Sequence, residues 1–414
     1  MDVEEGQGGQ GKKGASKEYI VVGTAYAVDG EQEPNKGRIL VFEVTDKPLA
    51  EGKPAAELLA AEQHAPSPGR RLTLVAEKQT RGAVYSLNAF IGKLLAGINS
   101  KVKLFAFADK GPDESELVSK CGHNEHLLAL MVESRGDFIV VADLMKSITL
   151  LVYRGVDDTI EEIARDYNAN WMTAVGILDD DTYIGAENHL NLFTVQKNSE
   201  AATEEARHML KVVGEYHLGE FVNKMRHGSL VMQDANAATA AGGAKQAQEE
   251  AGQAQEPDKA EAAGDAETLA QILSSTPKPQ MVFGTVNGVI GVVAQLKESQ
   301  YKLLKRLERA LAEVIQGVGG LSHAAWRSFS NDRKTVPSKG FVDGDLIEAF
   351  LDLDAADAEQ VLQRVNGKIA MQVDEDISSI LNAGCGGAAV ADALTLNLDL
   401  DMLTRFVEDL ARLH

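Results

Sequence analysis

Cysteine is almost missing from this chain. Only Cys121 and Cys385 occur, and neither has a second cysteine or a patterned histidine beside it, so no disulfide framework or zinc site is encoded. Both are expected to be ordinary buried thiols. Aromatic residues make up only 5% of the chain, and no apolar run reaches the roughly 18 residues that would read as a membrane span. The start, MDVEEGQGGQGKKGASKEY, carries acids and glycines where a secretory signal needs a hydrophobic stretch. A soluble intracellular protein without membrane association is therefore expected. Positive charge is also in deficit, with 41 Lys and Arg against 62 Asp and Glu and a formal net charge of −21. That balance repels a polyanion and removes the counterion release behind most nucleic-acid affinity, so contact with nucleic acid is expected to be weak or indirect.

Catalytic signatures are missing as well. There is no GxSxG elbow, no P-loop and no HExxH, so no catalytic residue, cofactor or metal is assigned. His123 and His126 sit three residues apart near Cys121, but no further ligand completes a set. Asp179, Asp180 and Asp181 read as a solvated turn rather than a cation site, because no glycine-punctuated ligand loop surrounds them. GTVNGVIG (284–291) leads into a strand, not into the helix N-terminus that would hold phosphate. Lys302, Lys305, Arg306 and Arg309 recur at helical spacing, followed by Arg327, Arg333, Lys334 and Lys339. A solvated helix face and a polar loop are preferred there over a phosphate patch.

What is present is a repeat. KLLAGINSKVKLFAF (93–107), DFIVVADLMKSITLLVY (137–153), DTYIGAENHLNLFTV (181–195) and QMVFGTVNGVIGVVA (280–294) each place two apolar strands around a polar turn. EYIVVGTAY (18–26) with GRILVFEV (37–44) is a fifth copy with a longer turn. Starts at 93, 137 and 181 lie 44 residues apart, within the spacing of about 40–45 residues for a four-stranded propeller blade. GAVYSLNAF (82–90), HLLALMV (126–132), WMTAVGIL (171–178) and LKVVGEYHL (210–218) read as the inner strands. Asn287-Gly288 predicts a type I′ turn with both residues at positive φ.

The expected fold is thus mainly β, an incomplete β-propeller with four to five blades' worth of strands, followed by a small α-helical C-terminal domain. A ring of seven blades would need strands from outside this sequence, supplied by a longer chain or lost by truncation. Residues 1–17 read as a disordered tail and 18–296 as the propeller, with a low-complexity insert rich in Ala, Gln, Glu and Gly over 234–279. Beyond residue 296 the period changes to about 3.6. Leu304, Leu307, Leu311, Val314, Ile315 and Val318 form one stripe ending at Gly319-Gly320, and GDLIEAFLDL (344–353) and DMLTRFVEDLARLH (401–414) continue a helical domain over 297–414.

Several phrases are more specific than pattern alone. GDFIVVADLMKSITLL (136–151), EEIARDYNANWMTAVGILDDD (161–181), GAENHLNLF (185–193), YHLGEFVNKMRHGSLVMQ (216–233), FGTVNGVIG (283–291) and WRSFSNDRKTVPSKGFVDGDLIEAFLDL (326–353) closely resemble the family of large damaged-DNA-binding subunits. That family shares its fold and the Asp-Gly-Asp-Leu phrase (343–346) with propeller subunits of splicing factor 3b and of the cleavage and polyadenylation factor. The resemblance covers the third propeller and the helical domain of a three-propeller chain. It implies a nuclear and cytoplasmic, non-catalytic adaptor of cullin-RING ubiquitin ligases, serving DNA repair. The cullin would be held by propellers not in this chain, and the third propeller would face WD-repeat substrate receptors. A nucleic-acid-binding subunit in repair or RNA processing is the alternative. Family positions lining the receptor cleft correspond to Leu128, Leu130, Leu144, Lys146, Arg165, Trp171, Phe221 and Asn223. Where the family usually has Arg this chain has Lys146, which removes a bidentate fork from one contact.

Overall fold

Alternation of apolar and polar side chains at a period of two gives each strand one face to bury, and turns every few residues fold successive strands back on themselves. The structure is a computed structural model and describes residues 2–3, 17–46, 70–111, 114–125, 127–231, 272–273, 277, 279–367 and 398–413. The chain divides into two units. One holds residues 1–225, 285–288 and 330–334, and the other 226–284, 289–329 and 335–414.

The strands form a five-bladed, propeller-like series. The first sheet orders Asp2–Val3, Lys17–Ala25, Gly37–Asp46 and Arg70–Thr80. The second orders Val84–Phe90, Lys93–Ile98, Lys101–Gly111 and Glu114–Asn124, and the third Ala129–Arg135, Phe138–Asp143, Ser147–Arg154 and Thr159–Arg165. The fourth contains Met172–Ile177, Thr182–Glu187, Asn191–Lys197 and Leu210–His217. A fifth sheet has three strands, Val222–His227, Pro279–Thr285 and Ile290–Ala294. All five hairpins expected from the repeat are therefore present.

First strands lie together: Val84–Phe90 packs on Ala129–Arg135, which packs on Met172–Ile177. Three of the four expected inner strands hold this place, but Leu210–His217 does not. It pairs with Asn191–Lys197 at the opposite edge of its sheet from Met172–Ile177. Its buried Leu210 and Tyr216 produced an inner-strand pattern at an outer position. The other fourth strands, RRLTLVAEKQT, ESELVSKCGHN and TIEEIAR, are charged edge strands that apolar pattern reading passed over.

The core is built face to face. Ile39 and Val41 of the first sheet bury themselves with Leu94, Ala96, Phe105 and Leu117 of the second. Leu95, Val102 and Leu104 of the second sheet meet Ile139, Val141 and Leu151 of the third. The other face of the first sheet leaves Ile20, Val22, Val44, Leu72 and Leu74 exposed. At the Thr285–Gly288 turn only Gly288 takes positive φ, at +90°, and its N–H donates to the Thr285 carbonyl at 3.1 Å. Asn287 keeps negative φ, so the expected type I′ geometry is replaced by a longer loop in which one glycine reverses the chain. Cys121 is half-buried rather than fully buried, while Cys385 and His126 lie outside the described residues, as do most of 1–17 and 234–279.

The second unit contains helices α1 (Glu298–Val314), α2 (Ala355–Asn366) and α3 (Leu400–Ala411). Leu303, Leu304, Leu307 and Leu311 of α1 join Val361 and Val365 of α2 and Leu403, Phe406 and Val407 of α3 in one core. α1 stops at Val314, ahead of the glycine pair expected to end it. The basic stripe of α1 is partly neutralised: Lys302 pairs with Glu298 at 2.6 Å and Lys305 with the buried Glu308 at 2.5 Å. Asp343, 3% exposed, fixes the entry to the Gly344–Glu348 helix. Its Oδ2 accepts from Arg327 Nε at 2.6 Å and faces His323 Nε2 at 2.8 Å, while its own N–H donates to Glu308 Oε1 at 2.9 Å.

Leu151 is fully buried, so Leu151→Ala should cost about 2–5 kcal/mol by loss of transfer energy and creation of a cavity, read as a lower urea midpoint. The hydrogen bonds from His323 and Arg327 hold Asp343 below the usual carboxylate range, at about 2, against the cost of its burial. A depressed acid stabilises the fold above its unfolded value and loses that contribution as pH falls through the folded one. Acid unfolding should therefore show about 2 kcal/mol lost between roughly pH 4 and 2, and this step should vanish in Asp343→Asn.

Candidate functional site

The register gathers strand ends and tight turns at one end of the third sheet and of the fourth. In the third sheet Ala129, Asp143, Ser147 and Arg165 occupy that end. In the fourth it is held by Met172, Glu187, Asn191 and His217. Backbone hydrogen bonds hold the loops there, and the one between Met172 and Leu144 joins the fourth sheet to the third. The Leu144 N–H donates to the Leu128 carbonyl at 3.0 Å, Met172 to Leu144 at 3.2 Å, and Asn188 to Trp171 at 2.9 Å. Further along, Leu218 donates to Leu190 at 3.0 Å and Val286 to Phe221 at 3.0 Å.

All eight residues singled out in the sequence lie in or beside these loops. Leu128, Leu130 and Leu144 are half-buried, Lys146 and Asn223 are exposed, and Phe221 is half-buried. Trp171 is 44% exposed; Tyr167, four residues before it, is 70% exposed, and Leu127, next to Leu128, is 43% exposed. A tryptophan left this open costs apolar hydration unless something covers it, and Trp is the residue type most enriched at binding hot spots. Arg165 is different: its side chain is only 14% exposed and its Nη2 is bound to Glu162 Oε2 at 2.5 Å.

The loops are held by a residue that sequence reading passed over. Asp143 is fully buried. Its Oδ2 accepts from the N–H groups of Leu127 and Leu128 at 2.9 and 3.1 Å, and its Oδ1 from those of Met145 and Lys146 at 3.1 Å each. One carboxylate thereby fixes both loops carrying Leu128, Leu144 and Lys146. Ser147, at φ +61°, closes the hairpin and donates its hydroxyl to Asp166 Oδ2 at 2.6 Å. Burial raises the Asp166 carboxyl, and the hydrogen bonds from Ser147 and Asn168 pull it back. The signal in the sequence was an Asp immediately before a polar turn.

The fourth sheet repeats the device with different groups. Asn191 Nδ2 donates to Glu187 Oε1 at 2.5 Å and to the Ser330 carbonyl at 2.8 Å. The segment Ser330–Lys334 lies here: Lys334 pairs with the buried Glu215, His189 Nε2 is 3.3 Å from Asp332 Oδ1, and Asn331 reaches Glu187 Oε2 at 3.4 Å. Lys334 therefore serves an internal ion pair rather than a phosphate patch. Asp179 Oδ1 accepts the N–H groups of Asp181 and Thr182 at 3.0 and 2.7 Å, and Asp180 pairs with Arg135 at 3.3 Å. That arrangement is the turn expected of the aspartate run.

Glu125 breaks the pattern of satisfied groups. It is 7% exposed, in the connection leading to Leu128, and its carboxylate has no well-formed hydrogen bond beyond a weak one with the Thr149 hydroxyl. Burial pushes its carboxyl up to about 7; Arg165 and Thr149 pull the other way, while Asp143 and Glu162 add to the rise. A raised acid favours the fold below its unfolded value and loses that contribution as pH climbs through the folded one. The chain should therefore lose about 3 kcal/mol of stability between roughly pH 4.5 and 7 from this group. Urea unfolding of Glu125→Gln should show that slope removed.

The chain matches known proteins over most of its length. A family model described as the CPSF A subunit region matches residues 2–352. DNA damage-binding protein 1a of Arabidopsis thaliana is 50% identical over 357 residues, covering 86% of this chain and 27% of that protein. DNA damage-binding protein 1 of Solanum lycopersicum is 52% identical over 347 residues, covering 84% and 26%. The Oryza sativa subsp. japonica protein of the same name is 50% identical over 343 residues, covering 83% and 26%. The chain thus spans about a quarter of the length of the curated relatives it matches. With its hairpin repeat, its bladed sheets and the match over most of its length, the chain belongs to the CPSF A subunit region family.

Proposed function

We propose that this chain is a non-catalytic scaffold that binds WD-repeat substrate receptors of a cullin-RING ubiquitin ligase in the response to DNA damage. The observation that carries the reading is the open Trp171, 44% exposed, on the loops that also present Leu128, Leu144 and Phe221. An exposed aromatic anchor beside Met172, whose N–H is bonded to the Leu144 carbonyl, with Lys146 exposed on the same turn as Leu144, suits an amphipathic helix whose apolar face seats on these loops. The relatives are named for binding damaged DNA. A net charge of −21 favours a receptor that contacts DNA while this chain holds the receptor. The cullin is assigned to parts of the longer relatives outside this chain.

A WD-repeat receptor that binds the wild-type chain in a pull-down should lose at least about tenfold in affinity with Trp171→Ala, or roughly 1.4 kcal/mol or more. Equal recovery by both, with unchanged melting temperatures, would discard this end as the receptor site. Direct DNA binding is the second reading, favoured by the relatives' names. A salt titration decides it: the isolated chain should show no binding to damaged duplex even at low salt, and a steep salt-dependent affinity would favour DNA instead.

A further inference from the structure

The connection 198–209, between the last two strands of the fourth sheet, folds back onto the edge of the third. The Arg165 N–H donates to the His208 carbonyl at 2.9 Å, the His208 ring donates from Nδ1 to the Ile163 carbonyl at 2.8 Å, and Met209 forms a parallel bridge with Arg165. The connection is thereby pinned beside the loop that leads from Arg165 to Trp171. A groove of about 590 Å³ opens there, lined by Tyr167, Glu204, Glu205, His208 and Met209.

The lining has two characters. Tyr167 and Met209 are both exposed, Met209 at 45%, so an aromatic ring and a thioether leave apolar surface open to water. Glu204 and Glu205 open a one-turn helix fixed by Thr203, whose hydroxyl accepts the Ala206 N–H at 3.3 Å. Among the described residues neither carboxylate is paired, and the Tyr167 hydroxyl has no partner. In the neutral His208 ring, donation from Nδ1 leaves Nε2 as a further acceptor. The groove is also formed in advance: Asp166, buried next to Tyr167, accepts from the Ser147 hydroxyl at 2.6 Å and from the Asn168 N–H at 3.1 Å.

Such a lining selects by charge. Two open acids repel an anion, and a wholly apolar side chain would desolvate them without compensation. A Lys or Arg side chain meets both demands, because its aliphatic stem covers Met209 and Tyr167 while its cation reaches the ring face and the carboxylates. From this geometry we infer that the groove docks a basic side chain, flanked by apolar residues, of a peptide segment from a protein partner. It continues the open surface of Trp171, four residues beyond Tyr167 on the same loop. The net charge of −21 draws any cation toward the chain, so the local lining has to be separated from that general field.

The test uses the full chain with 13C-methyl methionine, the Met209 signal being assigned by its loss in Met209→Leu. The probe is acetyl-Leu-Arg-Leu-Arg-amide, compared with the same peptide carrying neutral citrulline in place of arginine. The arginine peptide should shift the Met209 signal saturably below about 1 mM, and the citrulline peptide should bind at least about fivefold more weakly. Glu204→Gln with Glu205→Gln should weaken the arginine peptide by a similar factor, and Tyr167→Ala by about threefold. Glu359→Gln with Asp401→Asn, which removes the same charge from the other unit, should leave affinity unchanged. A silent Met209 signal, equal binding of the two peptides, or equal losses in the two double variants would overturn the inference. No receptor enters this measurement, so a failed Trp171→Ala pull-down leaves the groove standing, and a silent Met209 leaves the receptor reading standing.

Discussion

A single buried carboxylate orders the end of the propeller on which the functional reading depends. Asp143 accepts four backbone N–H groups from two loops, and those loops carry Leu128, Leu144 and Lys146. Backbone donors buried without acceptors are costly, so the two loops have one arrangement that satisfies them all. Everything built on that end inherits its rigidity. The Leu144 N–H then ties its turn to Leu128 at the start of the same sheet, its carbonyl ties the turn to Met172 of the fourth, and Ser147 extends the network to Asp166.

The same logic separates what holds the site from what it presents. Asp143, Asp166, Glu187 and Asn191 are buried and bonded. Trp171 and Lys146 are exposed and supported by backbone bonds from their neighbours. Binding energy at such a surface comes from covering the aromatic anchor, and it is not spent on ordering the loops, because the buried network has already ordered them. Glu125 is a weaker point of that network, an acid buried in the connection to Leu128 whose carboxyl burial pushes up to about 7.

The helical unit solves a comparable problem with ion pairs. Asp343 gathers Arg327 and His323, and Glu308 gathers Lys305 and the Asp343 N–H, so a cluster of charge sits against the leucine-rich core of α1, α2 and α3. Several of the basic residues that the sequence grouped into a patch are thereby assigned to structure. Charge that is paired with buried acids contributes little to the field seen by a polyanion.

The sequence by itself determined the strand content, the five hairpins and their 44-residue spacing, because alternation and turn chemistry are local properties of the chain. The apolar faces of α1 and α3 were legible for the same reason. Residue by residue, the resemblance pointed to Trp171 and its neighbours, while periodicity alone would have buried them. The charged fourth strands, the outer place of Leu210–His217 and the negative φ of Asn287 were decided by which sheet edges and loops meet. Only the tertiary structure revealed Asp143 as the common acceptor, Ser330–Lys334 on the fourth sheet, and the burial of Glu125. The value of a carboxylate depends on the donors and the burial that distant segments bring to it, and one strand's sequence carries neither.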